Sequence, residues 1–299
     1  MKKSKVSVVM ITYGHEKFIR EAIEGVLMQE CDFEVELILA NDYSPDQTDD
    51  IIQDILSNHP KGTWVKYYRH KKNLGMMPNF FFAIQQSTGE YIALCEGDDY
   101  WTDPLKLQKQ VDFLETNLDY VVCFHDCSVV DENSKIKIKS YLTNFKLDYN
   151  ENDLKKGGWL PTLTRCFRNV LDKYPDEFKN VNCGDLFLTS YLGFYGKAKF
   201  MDFNGANYRE HIGGVWSGTN EKIRNRKMIQ DFYTLYSFYE NLSDKEISQF
   251  YKKNVYKSFM LDIKYFGFCQ SSFYNMKRFF LLYCSFILWK SINKLKLMF

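Results

Sequence analysis

Tyr91-Ile92-Ala93-Leu94-Cys95-Glu96-Gly97-Asp98-Asp99-Tyr100-Trp101 decides the fold. The first five residues are apolar or small and follow a turn signal at Thr88-Gly89. Such a run reads as a buried central strand of a parallel sheet. It stops on three carboxylates within four residues, Glu96, Asp98 and Asp99. Ligands of open α/β sheets bind outside the carboxyl ends of the strands. Acids crowded there need positive compensation, and hard oxygen donors suit a divalent cation such as magnesium or manganese. Glu96 and Asp98 are two apart and share a direction on an extended chain, and Gly97 lets a ligand approach the backbone. The competing reading is a solvated acidic turn that caps the next helix.

Outward from this strand the elements alternate. Val6–Thr12 is a β-branched run, Tyr13-Gly14-His15 a turn, and Glu16–Gln29 has apolar residues at helical spacing. Val35–Ala40 is a second strand, followed by the cap- and turn-rich Asn41-Asp42-Tyr43-Ser44-Pro45-Asp46-Gln47-Thr48 and a helix to about Leu56 that Asp46 can cap. Trp64–Tyr68 is a third strand, Pro78–Gln86 a helix, and Pro104 opens another helix after the acids. Tyr120–Val130 is a further strand. This order predicts a parallel sheet over about 130 residues, with Thr12, Asp42, Glu96 and Asp98 on one edge. Residues 131–158 read as a polar surface excursion, Trp159–Arg165 as a returning strand, Leu186–Leu192 as a helix after Asn182-Cys183-Gly184-Asp185, and Ala198–Phe203 as a short strand. From Asn220 the pattern is helical.

Composition narrows the classes. Net charge is +1 over 299 residues, which gives no argument for a nucleic-acid partner. The charge is uneven: residues 251–299 hold nine Lys and Arg against Asp262 alone, so they carry +8 and the rest of the chain −7. The eight cysteines include no CxxC pair; Cys123 and Cys127 flank His125 without a second ligand pair at zinc-finger spacing, which favours reduced, buried thiols in a cytosolic protein. The basic Met1–Lys5 is followed by too short an apolar run for a signal peptide, and no run reaches the length of a membrane span. Neither GxGxxG nor GxxxxGK[ST] occurs, so phosphate must be handled by a metal or by basic side chains.

Val8-Val9-Met10-Ile11-Thr12-Tyr13-Gly14-His15, Asn41–Thr48, Asn73-Leu74-Gly75 and Glu96-Gly97-Asp98-Asp99 occur in order at strand ends or loops. Together they resemble the large bacterial family 2 of inverting glycosyltransferases. The resemblance covers residues 5–130 closely and 155–217 more loosely. It implies an α/β fold of the GT-A type, a Rossmann-like sandwich with a mostly parallel central sheet. A catalytic domain is expected over 1–217 (nucleotide-sugar half 1–130, acceptor half 131–217), with a C-terminal helical extension over 218–299. It also implies a nucleoside-diphosphate sugar donor, a divalent metal (Mn2+ or Mg2+) and single-displacement transfer to a hydroxyl of a glycan or lipid-linked acceptor in surface-polysaccharide synthesis. By position, Thr12, Tyr13, Asp42 and Asn73 fall where the family meets the nucleoside. Glu96-Gly97-Asp98 takes its Asp-x-Asp place, with Glu96 toward the donor and Asp98 as the metal ligand. Glu stands where the family has its first Asp, and Asn41 replaces one acid of a usual pair. Asp185 resembles the family's base, with Gly184 in place of the preceding acid; its other reading is a helix cap. His211 falls where some members supply a metal ligand, and Arg209 and Trp216 are candidate diphosphate or acceptor contacts. Trp159 and Trp216 are the aromatics that can stack on a sugar, although large aromatics are commonly core.

Lys277–Phe299 mixes aromatic and aliphatic residues with lysine and arginine. It reads as an interfacial helix at the inner face of the cell membrane, or as a helix packing on the protein or on another subunit. Two other classes compete with transfer. A nucleotidyltransferase would also use strand-end acids and a metal, but with a glycine-rich basic loop that Thr12–Glu16 lacks. A non-catalytic sugar- or lipid-binding module would have lost the acids that are present here.

Overall fold

The computed structural model describes residues 5–171 and 174–296, with side chains to residue 291. The chain divides into two compact units, Met1–Lys179 with Gly184–Gly218, and Asn180–Cys183 with Thr219–Phe299.

The first unit is built on a single sheet. Its elements in order are β1 (Lys5–Thr12), α1 (Ile19–Leu27), β2 (Glu34–Asn41), α2 (Thr48–Asn58), β3 (Val65–Arg69), α3 (Met76–Gln86), β4 (Tyr91–Leu94), β5 (Tyr100–Trp101) and α4 (Lys106–Thr116). They continue with β6 (Tyr120–Val130), β7 (Ile136–Ile138), α5 (Glu151–Lys155), β8 (Cys166–Arg168), α6 (Gly184–Leu192) and β9 (Lys197–Arg209). Strand order is β3-β2-β1-β4-β8-β6-β9-β5, with β7 paired to β6. β3, β2, β1 and β4 pair in parallel. β8 runs antiparallel to both β4 and β6, and β9 is parallel to β6. β6 and β9 therefore point the same way as β1–β4. The carboxyl ends of β1, β2, β4 and β9 all reach one edge, and β9 delivers Arg209 and His211 there.

Alternation along β1 puts Val6, Val8 and Met10 on one face, where they join Leu37 and Leu39 of β2 and Ile19, Ala22, Ile23 and Val26 of α1. Ile52, Ile55, Leu107, Val111, Leu114 and Trp101 complete this core. α3 packs on β1 and β2. α1 lies so close to β5 that a Cβ on Gly25 would stand 2.8 Å from the backbone N of Trp101 and 2.9 Å from its O.

Several elements depart from expectation. Trp159–Arg165 is not a strand. Pro161 has no N–H, and Thr162–Thr164 makes a 3-10 turn with Thr164 N bonded to Pro161 O; the short strand starts at Cys166. β9 outruns the expected Ala198–Phe203 because it continues past register shifts along β6. The first helix begins at Ile19 rather than Glu16, since the amides of Gly14, His15 and Glu16 donate to Ser44, Thr48 and Asp46.

The second unit holds α7 (Glu221–Asn241), α8 (Lys245–Phe266) and α9 (Phe268–Lys296), the last kinked at Phe279. Asn220 and Asp244 cap the first two through the amides of Ile223 and Ile247. Ile229, Val255, Phe259, Phe279, Tyr283 and Phe286 form its core. Among the described residues no helix is long and apolar enough to cross a membrane.

Gly25→Ala must push α1 off β5, so we expect overpacking to cost about 1–3 kcal/mol. Thermal unfolding of the variant should show a lowered melting temperature; an unchanged one would mean that α1 can shift freely.

Candidate active site

The β4–β5 turn carries the acids. The β1 ladder extends past β4, with Cys95 N donating to Val9 O and Gly97 N to Ile11 O, and Asp99 N then closes a turn on Glu96 O. The acids diverge. Asp98 faces two imidazoles: its Oδ2 lies 3.0 Å from His211 Nε2 and 3.8 Å from His15 Nε2. Ligand atoms of His15, Asp98 and His211 all lie within 4.8 Å of one another. Burial raises the Asp98 pKa, but His15 and His211 outweigh it and hold the carboxyl below its usual range. Burial lowers the pKa of His15, more than the Asp98 charge raises it, and so favours the neutral, ligating imidazole. Thr12 Oγ1 lies 3.2 Å from His15 Nδ1, which leaves Nε2 turned to Asp98. Two nitrogens and a carboxylate oxygen, converging with one ring fixed from behind, fit a divalent transition metal. His15 was read from sequence as part of a turn; its place at the end of the first strand, beside Thr12, was the available signal.

Glu96 differs in its surroundings. Burial drives its pKa well up, and the charges of Asp185 and Asp98 add to this, with Arg165 opposing. Asp185 sits in the first turn of α6 rather than at its cap. Its Oδ2 accepts from Thr162 Oγ1 at 2.7 Å, and Oδ1 lies 3.8 Å from Arg165 Nη2. Arg165, 2 % exposed and also tied to Leu160 O, backs both acids. No sequence motif marked it, because its role depends on the turn at Thr162–Thr164. Gly184 beside Asp185 packs on Met77, whose Cε would be 3.0 Å from an added Cβ.

The nucleoside-side residues are gathered by the β2–α2 loop. Asp42 is buried, and both carboxylate oxygens accept backbone amides, from Leu74 at 2.7 Å and Gly75 at 2.9 Å. Asp42 thus fixes the loop that carries exposed Asn73. Thr12 is buried and Tyr13 half-exposed. Asn41 is spent internally, on Tyr67 and Ser44.

Arg209 is placed differently from the sequence expectation of a diphosphate contact. It is buried, and its amide donates to Asp99 Oδ1 at 2.8 Å while Nε donates to Asp98 O at 2.9 Å. Nη1 donates to Ser134 Oγ and Nη2 pairs with Glu21. Phe18 and Tyr100 cover the guanidinium at 4.7 and 5.1 Å. Its donors are turned into the protein, under the acidic turn. Trp216 lies on the exposed turn after His211, which Gly214 N and Ser217 Oγ tie to His211 O.

Residues 7–178 match the family model described as glycosyl transferase family 2, and the chain belongs to this family. An uncharacterised protein of Mycobacterium tuberculosis (strain ATCC 25618 / H37Rv) is 34 % identical over 211 residues, which are 71 % of this chain and 60 % of the relative. The chain thus spans less than two thirds of the length of that relative. Among solved structures, Staphylococcus aureus TarS 1-349 in complex with UDP-GlcNAc superposes with a TM-score of 0.60 at 17 % identity, covering 87 % of this chain and 74 % of that fragment. The mannosyltransferase PcManGT from Pyrobaculum calidifontis, in complex with GDP-Man and Mn2+, gives 0.55 at 14 % identity, covering 98 % and 85 %. These likenesses identify the α/β fold with its mostly parallel sheet as that of GT-A glycosyltransferases.

A Cβ on Gly97 would stand 2.7 Å from Thr12 Oγ1 and 3.0 Å from His15 Nδ1. Gly97→Ala should therefore displace His15 and weaken Mn2+ binding at least about tenfold, a loss of about 1.4 kcal/mol, in a protein that still folds. Titration of Mn2+ by electron paramagnetic resonance measures this; equal affinity would remove His15 from the ligand set.

Proposed function

We propose that the chain transfers a sugar from a nucleoside-diphosphate donor to a hydroxyl of a glycan or lipid-linked acceptor, with inversion, in building a cell-surface polysaccharide. The observation that carries the reading is the pairing of two separate acid groups at one sheet edge. Asp98 stands with His15 and His211, and Asp185 stands with Glu96 against Arg165. Family membership and the nucleotide sugars bound by TarS and PcManGT support a nucleotide-sugar donor.

In this reading Tyr13, the Asn73 loop held by Asp42, and Thr12 receive the nucleoside. Asp98 and His211, joined by His15, hold a divalent metal, and Glu96 faces the donor sugar. A bound cation supplies Lewis-acid neutralisation of the charge that grows on the departing diphosphate. Asp185 is the base. Thr162 and Arg165 fix the direction of its carboxylate, and its side chain remains partly open to solvent. As the acceptor oxygen bonds to the anomeric carbon and the carbon–diphosphate bond breaks, the hydroxyl proton passes to Asp185. The catalytic domain is assigned to 1–217, and the helices after it to an extension.

Asp98→Ala should abolish the Mn2+-dependent thermal shift produced by UDP or GDP. Asp185→Asn should keep that shift and lose about 10²–10⁴-fold in transfer rate. A folded Asp98→Ala protein that retains the shift, or an Asp185→Asn protein of full activity, would remove the corresponding role. No nucleotide shift in the unaltered protein would favour a non-catalytic module.

We further propose that the extension meets an anionic membrane surface from the cytoplasmic side. On α9, Phe280 and Leu288 are exposed, as are Phe273 at 75 % and Leu281 at 81 %, while Phe279, Tyr283 and Phe286 fill the core behind them. A helix apolar on both faces needs a cover on the outer one. Lys277, Arg278 and Lys290 accompany this face, and the side chains of Lys294 and Lys296 lie outside the described residues. Basic charge with an apolar stripe matches anionic lipid. Because removing 277–299 would also empty the core, the test is Phe273→Ser with Leu281→Ser. Flotation with phosphatidylglycerol vesicles should fall severalfold; unchanged flotation, or none by the unaltered protein, counts against the membrane.

A further inference from the structure

A ladder of four aromatic rings starts beside the acids and ends in solvent. Tyr208, the residue before Arg209 on β9, stacks on Tyr141 with centroids 5.7 Å apart and planes at 19°. Tyr141 meets Trp159 edge-on at 5.9 Å. Trp159 in turn stacks on Phe145 at 5.6 Å and 18°. The inner end lies beside the acidic turn: Tyr208 stands between Asn207, which pairs with Tyr100, and Arg209, whose amide donates to Asp99 Oδ1. At the outer end Trp159 is 49 % and Phe145 44 % exposed.

The ladder is fixed in place. Asp126, 2 % exposed, accepts from Ser140 Oγ at 2.5 Å and from the amides of Tyr141 and Leu142 at 3.0 Å each, and pairs with Lys146 at 2.9 Å. One buried carboxylate thus ties down the segment that carries Tyr141 and Phe145. Trp159 belongs to the segment that supports Asp185: Leu160 O accepts from Arg165 Nε, Thr162 Oγ1 donates to Asp185, and Leu163 O accepts from Trp101 Nε1. Rings held rigid before binding lose little entropy on contact with a ligand. Two exposed large aromatics in near-parallel contact are an expensive surface unless something covers them.

We propose that Trp159 and Phe145, with Tyr141 and Tyr208 behind them, form a subsite for the acceptor glycan, a carbohydrate chain whose apolar C–H faces stack on the rings while its terminal hydroxyl reaches Asp185. The proposal rests on the reading of the acids as a glycosyl-transfer centre. Continuity with that centre selects a saccharide over other apolar partners: the same short segment presents Trp159 outward and holds the base inward. Stacking demands ring faces without a hydrogen-bond pattern, so this subsite secures a sugar chain and leaves the choice of hydroxyl to the pocket.

The test is an oligosaccharide array probed with the full chain in the presence of UDP and Mn2+, comparing the unaltered protein with Trp159→Ala, Trp159→Phe and Phe145→Ala. We expect the glycans retained by the unaltered protein to bind Trp159→Ala about tenfold more weakly, Phe145→Ala more weakly to a smaller degree, and Trp159→Phe almost normally. Equal retention by Trp159→Ala overturns the subsite, and so does an unaltered protein that retains no glycan. The UDP-dependent thermal shift is measured on the same four proteins. Its persistence in all of them, with glycan binding independent of Trp159, discards the subsite and leaves donor binding standing. Its absence in all of them, with Trp159-dependent glycan binding, discards the donor reading instead.

Discussion

One buried cation holds the site together from below. Arg209 ends β9; its amide donates to the Asp99 carboxylate, and its guanidinium donates to the Asp98 carbonyl and pairs with Glu21. A guanidinium taken out of water is costly unless its donors are met. Here the partners come from α1, the β4–β5 turn and the β6–β7 turn, with Phe18 and Tyr100 closing over the charge. Because Arg209 is two residues before His211, the arrangement that satisfies it also sets the imidazole against Asp98. Two side chains that are 113 positions apart in sequence become neighbours through it.

The loops around the pocket are stiffened by side chains bonding to backbone. Ser44, Asp46 and Thr48 receive the amides of residues 14–16, and Asp42 receives those of Leu74 and Gly75. These groups replace what a continuous helix or strand would otherwise supply to the same amides. The cost is that Asp42 and Asn41 have little free capacity of their own. The benefit is that Tyr13 and Asn73, which are exposed, project from fixed positions.

Charge then divides the pocket. Asp98 is held ionised by two imidazoles, whereas Glu96 is pushed toward its protonated form by burial and by Asp185. Neighbouring carboxyl groups with opposed shifts are one signature of candidate functional sites, and structural ion-pair networks produce it too. Asp185 stands on the other side of that division, with the buried Arg165 3.8 Å from its Oδ1.

Much of this was legible from the chain. The alternation of strand and helix, the acidic turn after Leu94 and the motif order followed from period and composition, because parallel strands and their loops are local in sequence. The candidate metal positions Asp98 and His211 were reached through resemblance, and the structure brings them together with His15. What the sequence did not disclose depends on long-range packing. His15 joins Asp98 only because Gly97 leaves room for it, Arg209 turns inward only because Glu21 and two aromatic rings receive it, and Arg165 finds Asp185 only after Pro161 breaks the expected strand. The sequence by itself determined the fold class and which residue types could do the chemistry, since both are written in local periodicity and side-chain type. The tertiary structure alone decided which of those residues meet, because ion pairs and close contacts join segments whose separation along the chain carries no signal.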